Sequence, residues 1–63
     1  DYNKDEIATK IIETQGIELN NWGIYLLLAS SKETNNIAIK IIKSKGEKLE
    51  YDDIVYLFKF FRK

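Results

Sequence analysis

Residues 7–16 read IATKIIETQG, and residues 37–46 read IAIKIIKSKG. The likeness continues beyond the glycine that ends each stretch, and nine of the 25 positions in 7–31 carry the same residue 30 positions later. A fixed internal period of this kind is typical of repeated supersecondary units. We therefore interpret the chain as two copies of one unit, 7–31 and 37–61. A chance likeness between two amphipathic helices is the alternative.

The sequence of each copy predicts a helix that ends at a glycine, then a short loop and a second helix. The first helices carry apolar residues at helical spacing on one face, namely Ile7, Ala8, Ile11 and Ile12 in one copy and Ile37, Ala38, Ile41 and Ile42 in the other. Asn3 followed by Glu6 is the pattern of a capping box, and Asn35 or Asn36 is the predicted cap of the second copy. The glycine at the end of each stretch fits the position where a left-handed conformation ends a helix.

Large apolar residues surround the second helix of each copy. The stretches 22–29 (WGIYLLLA) and 54–61 (IVYLFKFF) carry them at nearly every angle around a helix axis. Asn21 and Asp52 stand where these helices are expected to begin. Strands are less favoured, because the turn residues of a hairpin are missing. The sequence predicts an all-α fold of four short helices, as two repeated helix–loop–helix units in one compact domain over residues 1–63. The chain has no initiator Met, so a fragment of a longer protein is also considered.

The chain carries more large apolar residues than four short helices can hide. The predicted core contains Ile7, Ile11, Ile12, Leu26, Leu27, Ile37, Ile41, Ile42, Ile54, Leu57, Phe58 and Phe61. The residues predicted to face outward are Ile24, Leu28, Ile39, Tyr56 and Phe60. A contiguous apolar patch is typical of an interaction surface, whereas scattered apolar exposure is common and carries no meaning.

These observations favour a non-enzymatic interaction domain that self-associates or docks on a protein partner. A chain this short gains stability from oligomerisation when it has no disulfide or metal, and a dimer is the favoured assembly. The residues expected to contact the partner are Trp22, Leu28, Tyr56 and Phe60, because large aromatic side chains are the usual anchors of interfaces.

Charge divides unevenly between the halves of the chain. Residues 1–31 carry two basic and five acidic residues, a net of −3, and residues 32–63 carry eight basic and five acidic residues, a net of +3. A dipolar molecule can steer its own association. The alternative function is a small, dimeric nucleic-acid-binding module that makes sequence-nonspecific phosphate contacts. Its expected contact residues are Lys40, Lys43, Lys45 and Arg62.

Several classes of function lack the residues that they need. Without Cys or His, the chain has no thiolate nucleophile, no imidazole base and no ligands for a zinc, haem or iron–sulfur site. Helix capping explains Asp52 and Asp53, and Ser30 and Ser31 have no His and no plausible Lys base beside them. The three glycines do not form a phosphate-binding loop. We expect no enzyme activity, no cofactor and no metal.

No stretch has the length of a membrane span. The densest apolar run, 22–29, is far shorter than the ~20 residues that cross a bilayer, and the polar residues 1–6 do not form a signal peptide. We expect no membrane contact from this segment and an intracellular location. Ile, Lys, Asn, Tyr and Phe supply about half of the residues, a composition typical of AT-rich coding sequence.

The pattern of apolar residues in 37–46, which ends at Gly46 and comes after Leu28-Ala29, resembles part of an ankyrin repeat. The Thr-Pro-Leu-His signature of that family is missing, the chain contains no Pro, and its period is 30 residues where the family has 33. The likeness covers about half of the chain and rests on an unspecific motif, so no function follows from it.

Overall fold

The computed structural model of the chain describes residues 3–61. They form four α-helices, which are α1 (Lys4–Gln15), α2 (Asn21–Ser30), α3 (Thr34–Lys45) and α4 (Tyr51–Phe60). A single 3₁₀ turn follows each first helix, at Gly16–Glu18 and Gly46–Lys48, and residues 3–61 contain no strand. The predicted all-α fold of four short helices is confirmed.

The starts of the helices follow the sequence signals in the first copy and depart from them in the second. Asn3 and Glu6 form the predicted capping box, with the Glu6 N–H donating to Asn3 Oδ1 at 2.8 Å. The prediction that Asn35 or Asn36 caps α3 is wrong, because α3 already begins at Thr34. Its N-cap residue is Glu33, and the backbone just before the helix is bound by Asp5 of α1, which is described below.

Both first helices end at a glycine, as predicted. Gly16 has φ 57° and ψ −130°, Gly46 has φ 52° and ψ −122°, and each N–H donates to the carbonyl of the isoleucine four residues earlier. The positive φ agrees with the prediction. The ψ values lie outside the left-handed helical region, in a region open essentially to glycine alone. These glycines therefore turn the chain sharply into the 3₁₀ turn.

Equivalent helices of the two copies lie side by side. α1 packs mainly on α3 and α2 mainly on α4, with further contact between α2 and α3. A period of 30 residues suits both a closed four-helix bundle and an open stack, and the contacts have the pattern of stacked helical repeats. The molecule measures 34 × 26 × 17 Å, so its thinnest direction holds two layers of helices.

The buried core lies between the two copies. It consists of Ala8, Ile12, Leu19, Ile24, Leu27, Leu28, Ile37, Ala38, Ile41 and Leu57. The sequence prediction is confirmed for Ile12, Leu27, Ile37, Ile41 and Leu57. It is wrong for Ile24 and Leu28, which are fully buried, and for a set of predicted core residues that are exposed: Ile7, Ile11, Leu26, Ile42, Ile54, Phe58 and Phe61.

The errors have one physical cause. In a stack of two repeats, each copy has one side that contacts the other copy and one side that is open. The side that is buried in the first copy is therefore the open side of the second. The apolar spacing within a helix shows that both sides are apolar, and it does not show which of them the neighbouring copy covers.

Candidate interaction surfaces

The open sides leave an apolar surface at each end of the stack. The amino-terminal end surface, on α1 and α2, is defined here by Ile7, Ile11 and Leu26, all three of them exposed. The carboxyl-terminal end surface, on α3 and α4, is defined here by Ile42, Ile54, Phe58 and Phe61, which are also exposed. Each set lies around a groove in the protein surface.

The carboxyl-terminal end surface is the more apolar of the two. Its groove is lined only by the four defining residues together with Leu49 and Leu57. Phe58 projects from it with 79% of its surface exposed to solvent. At the amino-terminal end surface, Lys4 and Ser30 add polar atoms to the wall of the groove. Both grooves suit a nonpolar partner, because neither presents the convergent polar groups that orient a small polar ligand.

Several equivalent positions of the two copies have opposite exposure. Leu28 is 1% exposed, whereas Phe58, 30 positions later, is 79% exposed. Ile7 and Ile37 differ in the opposite direction, since Ile7 is 46% exposed and Ile37 is 2% exposed. A large apolar residue at one place in the unit is thus covered by the neighbouring copy at one of these positions and uncovered at the other.

A buried ion pair within the second copy also contacts the first copy. Lys45 Nζ lies 2.7 Å from Asp53 Oδ2 and also donates to the Leu19 carbonyl of the first copy at 2.7 Å. Asp53 Oδ2 accepts a further hydrogen bond from the Glu50 N–H at 3.0 Å, which caps α4. One ammonium group therefore ties the end of α3 to the start of α4 and to the loop before α2.

The first copy has no equivalent of this ion pair. Gln15 stands in the place of Lys45, and Gly23 stands in the place of Asp53. A Cβ atom at Gly23 would lie 3.2 Å from Leu19 Cδ1, so the first copy packs Leu19 where the second copy accommodates a carboxylate. The sequence alone gave no sign of the pair, because Lys45 belongs to a run of basic residues that resembles a solvated helix face.

A second contact between the copies involves a capping carboxylate. Asp5 of α1 accepts the N–H groups of Lys32 and Glu33 at 2.8 Å each, one on each carboxylate oxygen. These backbone hydrogen bonds lower the pKa of the Asp5 carboxyl, since they stabilise its charged form. The carboxylate of Asp5 thus places a negative charge just before the amino-terminal end of α3, where the N-cap residue Glu33 makes no side-chain capping hydrogen bond.

Three of the four predicted interface residues surround Tyr25, which the sequence did not single out. The Tyr25 ring stacks on Trp22 with centroids 5.4 Å apart, and it lies 5.3 Å from Tyr56 and 5.4 Å from Phe60. Trp22 is exposed, whereas Tyr56 and Phe60 are half-buried against the core. Leu28 is buried inside the chain, so its prediction as a partner contact is wrong.

The basic residues of the alternative function do not form one free patch. Lys45 is enclosed in the ion pair with Asp53, so its ammonium is not available to a phosphate in this fold. Lys40 and Lys43 are exposed, and both line a shallow groove between α1 and α3 together with Glu13. Arg62 lies outside the described residues.

The described residues contain neither a membrane-spanning helix nor a cluster of metal ligands. Across residues 3–61, no helix is both long enough and apolar enough to span a membrane. In the same part of the chain, no three Asp or Glu residues are grouped so that they could hold a metal ion.

The two end surfaces were not identified from the sequence, although the repeat contained a signal for them. Of two copies that stack side by side, each leaves one side open. Equivalent pairs of large apolar residues on these sides, such as Ile24 with Ile54 and Leu28 with Phe58, therefore have one buried and one exposed member, although Leu27 and Leu57 are both buried. Comparison of the chain with protein-family models, with curated proteins and with solved structures finds no match.

Proposed function

We propose that this chain is a non-enzymatic interaction module that binds protein through its two apolar end surfaces, with a second copy of itself as the first partner. The observation that carries the proposal is the exposure of Ile42, Ile54, Phe58 and Phe61 around one wholly apolar groove. Contiguous apolar surface of this kind is uncommon on monomers and typical of interaction sites.

The energy available from these side chains is appreciable. Removing a large apolar side chain from water contributes roughly 1.5–3 kcal/mol when the burial is complete. Because the residues of the end surfaces are only partly exposed, each can supply part of that amount. Phe58 is the largest single source, since most of its ring surface is open. Aromatic side chains also lose little conformational freedom on binding, which favours Phe58 as an anchor.

Self-association can be tested by light scattering after size exclusion, over a roughly tenfold dilution series at two salt concentrations. We expect a mass above that of the monomer at high concentration, falling on dilution by mass action. Phe58→Asp should lower the mass to that of the monomer and leave the far-ultraviolet circular dichroism spectrum unchanged.

The matched control is Ile17→Glu. Ile17 is an exposed isoleucine in the first 3₁₀ turn, outside both grooves, and the equivalent position of the second copy already carries Glu47. This variant should associate as the unmodified chain does. A chain that remains monomeric at every concentration would contradict self-association.

The nucleic-acid alternative has less support. Of its four expected contacts, Lys45 is paired with Asp53, and Lys40 and Lys43 stand beside a carboxylate. A gel-shift assay at low salt tests it, because a phosphate-binding surface retards the nucleic acid most strongly when few counterions compete. Retardation that is lost in the variant Lys40→Ala/Lys43→Ala would revive this function.

A further inference from the structure

We infer that copies of this chain stack head to tail, with the carboxyl-terminal end surface of one copy bound to the amino-terminal end surface of the next. This inference rests on the proposed function and specifies its geometry. The chain already contains one example of the contact, because its first unit packs on its second. Each open end presents one of the two sides of that internal contact.

The correspondence follows from the repeat. The first unit buries Ile12, Ile24 and Leu28 in the core between the units. Their equivalents in the second unit, 30 positions later, are the exposed residues Ile42, Ile54 and Phe58.

The other side of the contact behaves in the same way. The second unit buries Ile37 and Ile41 in the same core. Their equivalents in the first unit, Ile7 and Ile11, are exposed at the amino-terminal end surface. A neighbouring chain that repeats the internal arrangement would cover all five exposed residues at once.

The polar contacts between the two units of one chain can also form between two stacked chains, because the residues 30 positions away are able to make them. Ser44 Oγ lies 3.4 Å from the Ile12 carbonyl, and the equivalent pair is the Thr14 hydroxyl of one chain with the Ile42 carbonyl of another. The ammonium of Lys45 donates to the Leu19 carbonyl, and Gln15, at the equivalent position, has an amide that can donate in the same direction.

One polar contact within the chain corresponds to a pair of aromatic residues at the junction between two stacked chains. Asn21 Nδ2 donates to Asp52 Oδ2 at 3.1 Å between the two units. The equivalent pair across a junction is Tyr51 of one chain with Trp22 of the next, and both rings are exposed in the single chain. The exposed face of Tyr51 would gain an aromatic neighbour, and Trp22, which already stacks on Tyr25, would gain a second one.

Charge favours this orientation over its opposite. Among the described residues, 3–31 carry two basic and four acidic residues, a net of −2, and 32–61 carry six basic and five acidic residues, a net of +1. Head-to-tail stacking places these halves beside each other, whereas a two-fold dimer through either end surface places like halves together. Across the junction, Lys43 of one chain comes opposite Glu13 of the next, as these two positions already share a groove within the chain. Charge complementarity therefore selects the orientation, and salt should weaken it.

The contact is heterologous, because it joins two different surfaces. A heterologous contact that does not close into a ring adds further copies without a fixed limit. We therefore expect rows of increasing length with rising concentration in place of a closed dimer.

Two variants that each block one end test the inference by sedimentation velocity. Ile7→Glu removes the amino-terminal end surface, and Phe58→Glu removes the carboxyl-terminal end surface. Each variant alone should be monomeric, with self-association weakened at least about tenfold, or about 1.4 kcal/mol. Mixed in equal amounts they should form a dimer that does not grow, because the mixture contains only one productive junction. Leu26→Glu replaces Ile7→Glu if the latter loses helicity.

The outcomes separate the inference from the proposed function. If the unmodified chain associates while one variant alone still dimerises, the contact joins like surfaces and the head-to-tail geometry is overturned. A mixture that stays monomeric although the unmodified chain associates overturns it as well. If the unmodified chain is monomeric up to about 1 mM, where binding is worth about 4 kcal/mol, both the inference and self-association fail.

Discussion

Lys45 Nζ and Asp53 Oδ2 are 2.7 Å apart, and the two side chains are only 4% and 1% exposed to solvent. The pair closes a hydrogen-bonded link from the second copy to the Leu19 carbonyl of the first. In a chain of 63 residues without a disulfide, it is the one buried ion pair of residues 3–61. Its second carboxylate oxygen, Asp53 Oδ1, is buried and accepts no hydrogen bond from the described residues.

Removing one partner of this pair should largely unfold the protein. In Asp53→Asn the ammonium of Lys45 keeps its charge without a counter-ion, and breaking a buried pair in this way costs about 3–5 kcal/mol. That loss equals the stability a chain of this size usually has. We expect low helicity by circular dichroism at 25 °C and a urea transition shifted close to zero denaturant.

Removing both charges should restore most of the stability. The variant Lys45→Met/Asp53→Asn keeps a carbonyl oxygen for the Glu50 N–H and leaves no uncompensated charge in the core. We expect it to recover more than half of the free energy lost in Asp53→Asn. If the double variant is as unstable as the single one, the charge itself is not the cause of the loss.

Leu28 and Phe58 are equivalent positions in the repeat and should respond in opposite ways to the same substitution. Leu28→Asp places a carboxylate in the core between the copies, and the chain should unfold, because an unpaired charge there is not solvated. Phe58→Asp changes an exposed ring and should leave the thermal transition nearly unchanged at a concentration so low that the unmodified chain is monomeric. Thermal melts of the two variants, measured side by side, check this. Equal destabilisation of both would contradict the placement of the open end surface.

Protonation of the Asp5 carboxylate should contribute to a loss of folding stability in acid. The backbone N–H groups of Lys32 and Glu33 hold its pKa below the unfolded value, so the folded state binds this proton less readily. The contribution is therefore fully present above the ordinary Asp pKa of about 4 and is lost as the pH falls through the lower folded-state pKa.

The variant Asp5→Asn isolates that contribution. Its urea midpoint should lie below that of the unmodified chain at neutral pH, and the gap should narrow as the pH drops from about 5 to about 2. The other carboxyl groups titrate in both proteins, so only the difference between the two curves is informative. A gap that does not change with pH would show that Asp5 acts through packing and not through its charge.

Replacing Gly46 by D-alanine should leave the stability of the fold nearly unchanged, whereas L-alanine at this position should lower it. Its φ of 52° with ψ of −122° costs an L-residue about 1–3 kcal/mol, whereas open space surrounds the position where an L-residue's Cβ would stand. The penalty of Gly46→Ala therefore comes from the backbone alone. Chemical synthesis of the 63-residue chain with D-alanine at this position provides the matched control, and urea denaturation measures both. Equal stability of the two variants would show that the turn relaxes.

The sequence determined the local structure of this protein. The spacing of Ile7, Ile11 and their equivalents gave the helices, the Asn3 and Glu6 pair gave the first cap, and Gly16 and Gly46 gave the stops. The 30-residue likeness gave the two units. Each of these features depends on contacts between residues close in the chain, so a short stretch of sequence is enough to specify it.

The tertiary structure decided which apolar side chains are buried and which groups hold the copies together. Leu28 and Phe58 occupy equivalent places in the two units, and the stacked neighbouring unit covers Leu28 and leaves Phe58 exposed. Asp5 binds the backbone N–H groups of Lys32 and Glu33, which lie 27 and 28 residues later, just before α3. Lys45 is buried because Asp53 and the Leu19 carbonyl accept its hydrogen bonds there. Burial and pairing of this kind depend on long-range contacts, which the side-by-side stacking of equivalent helices creates.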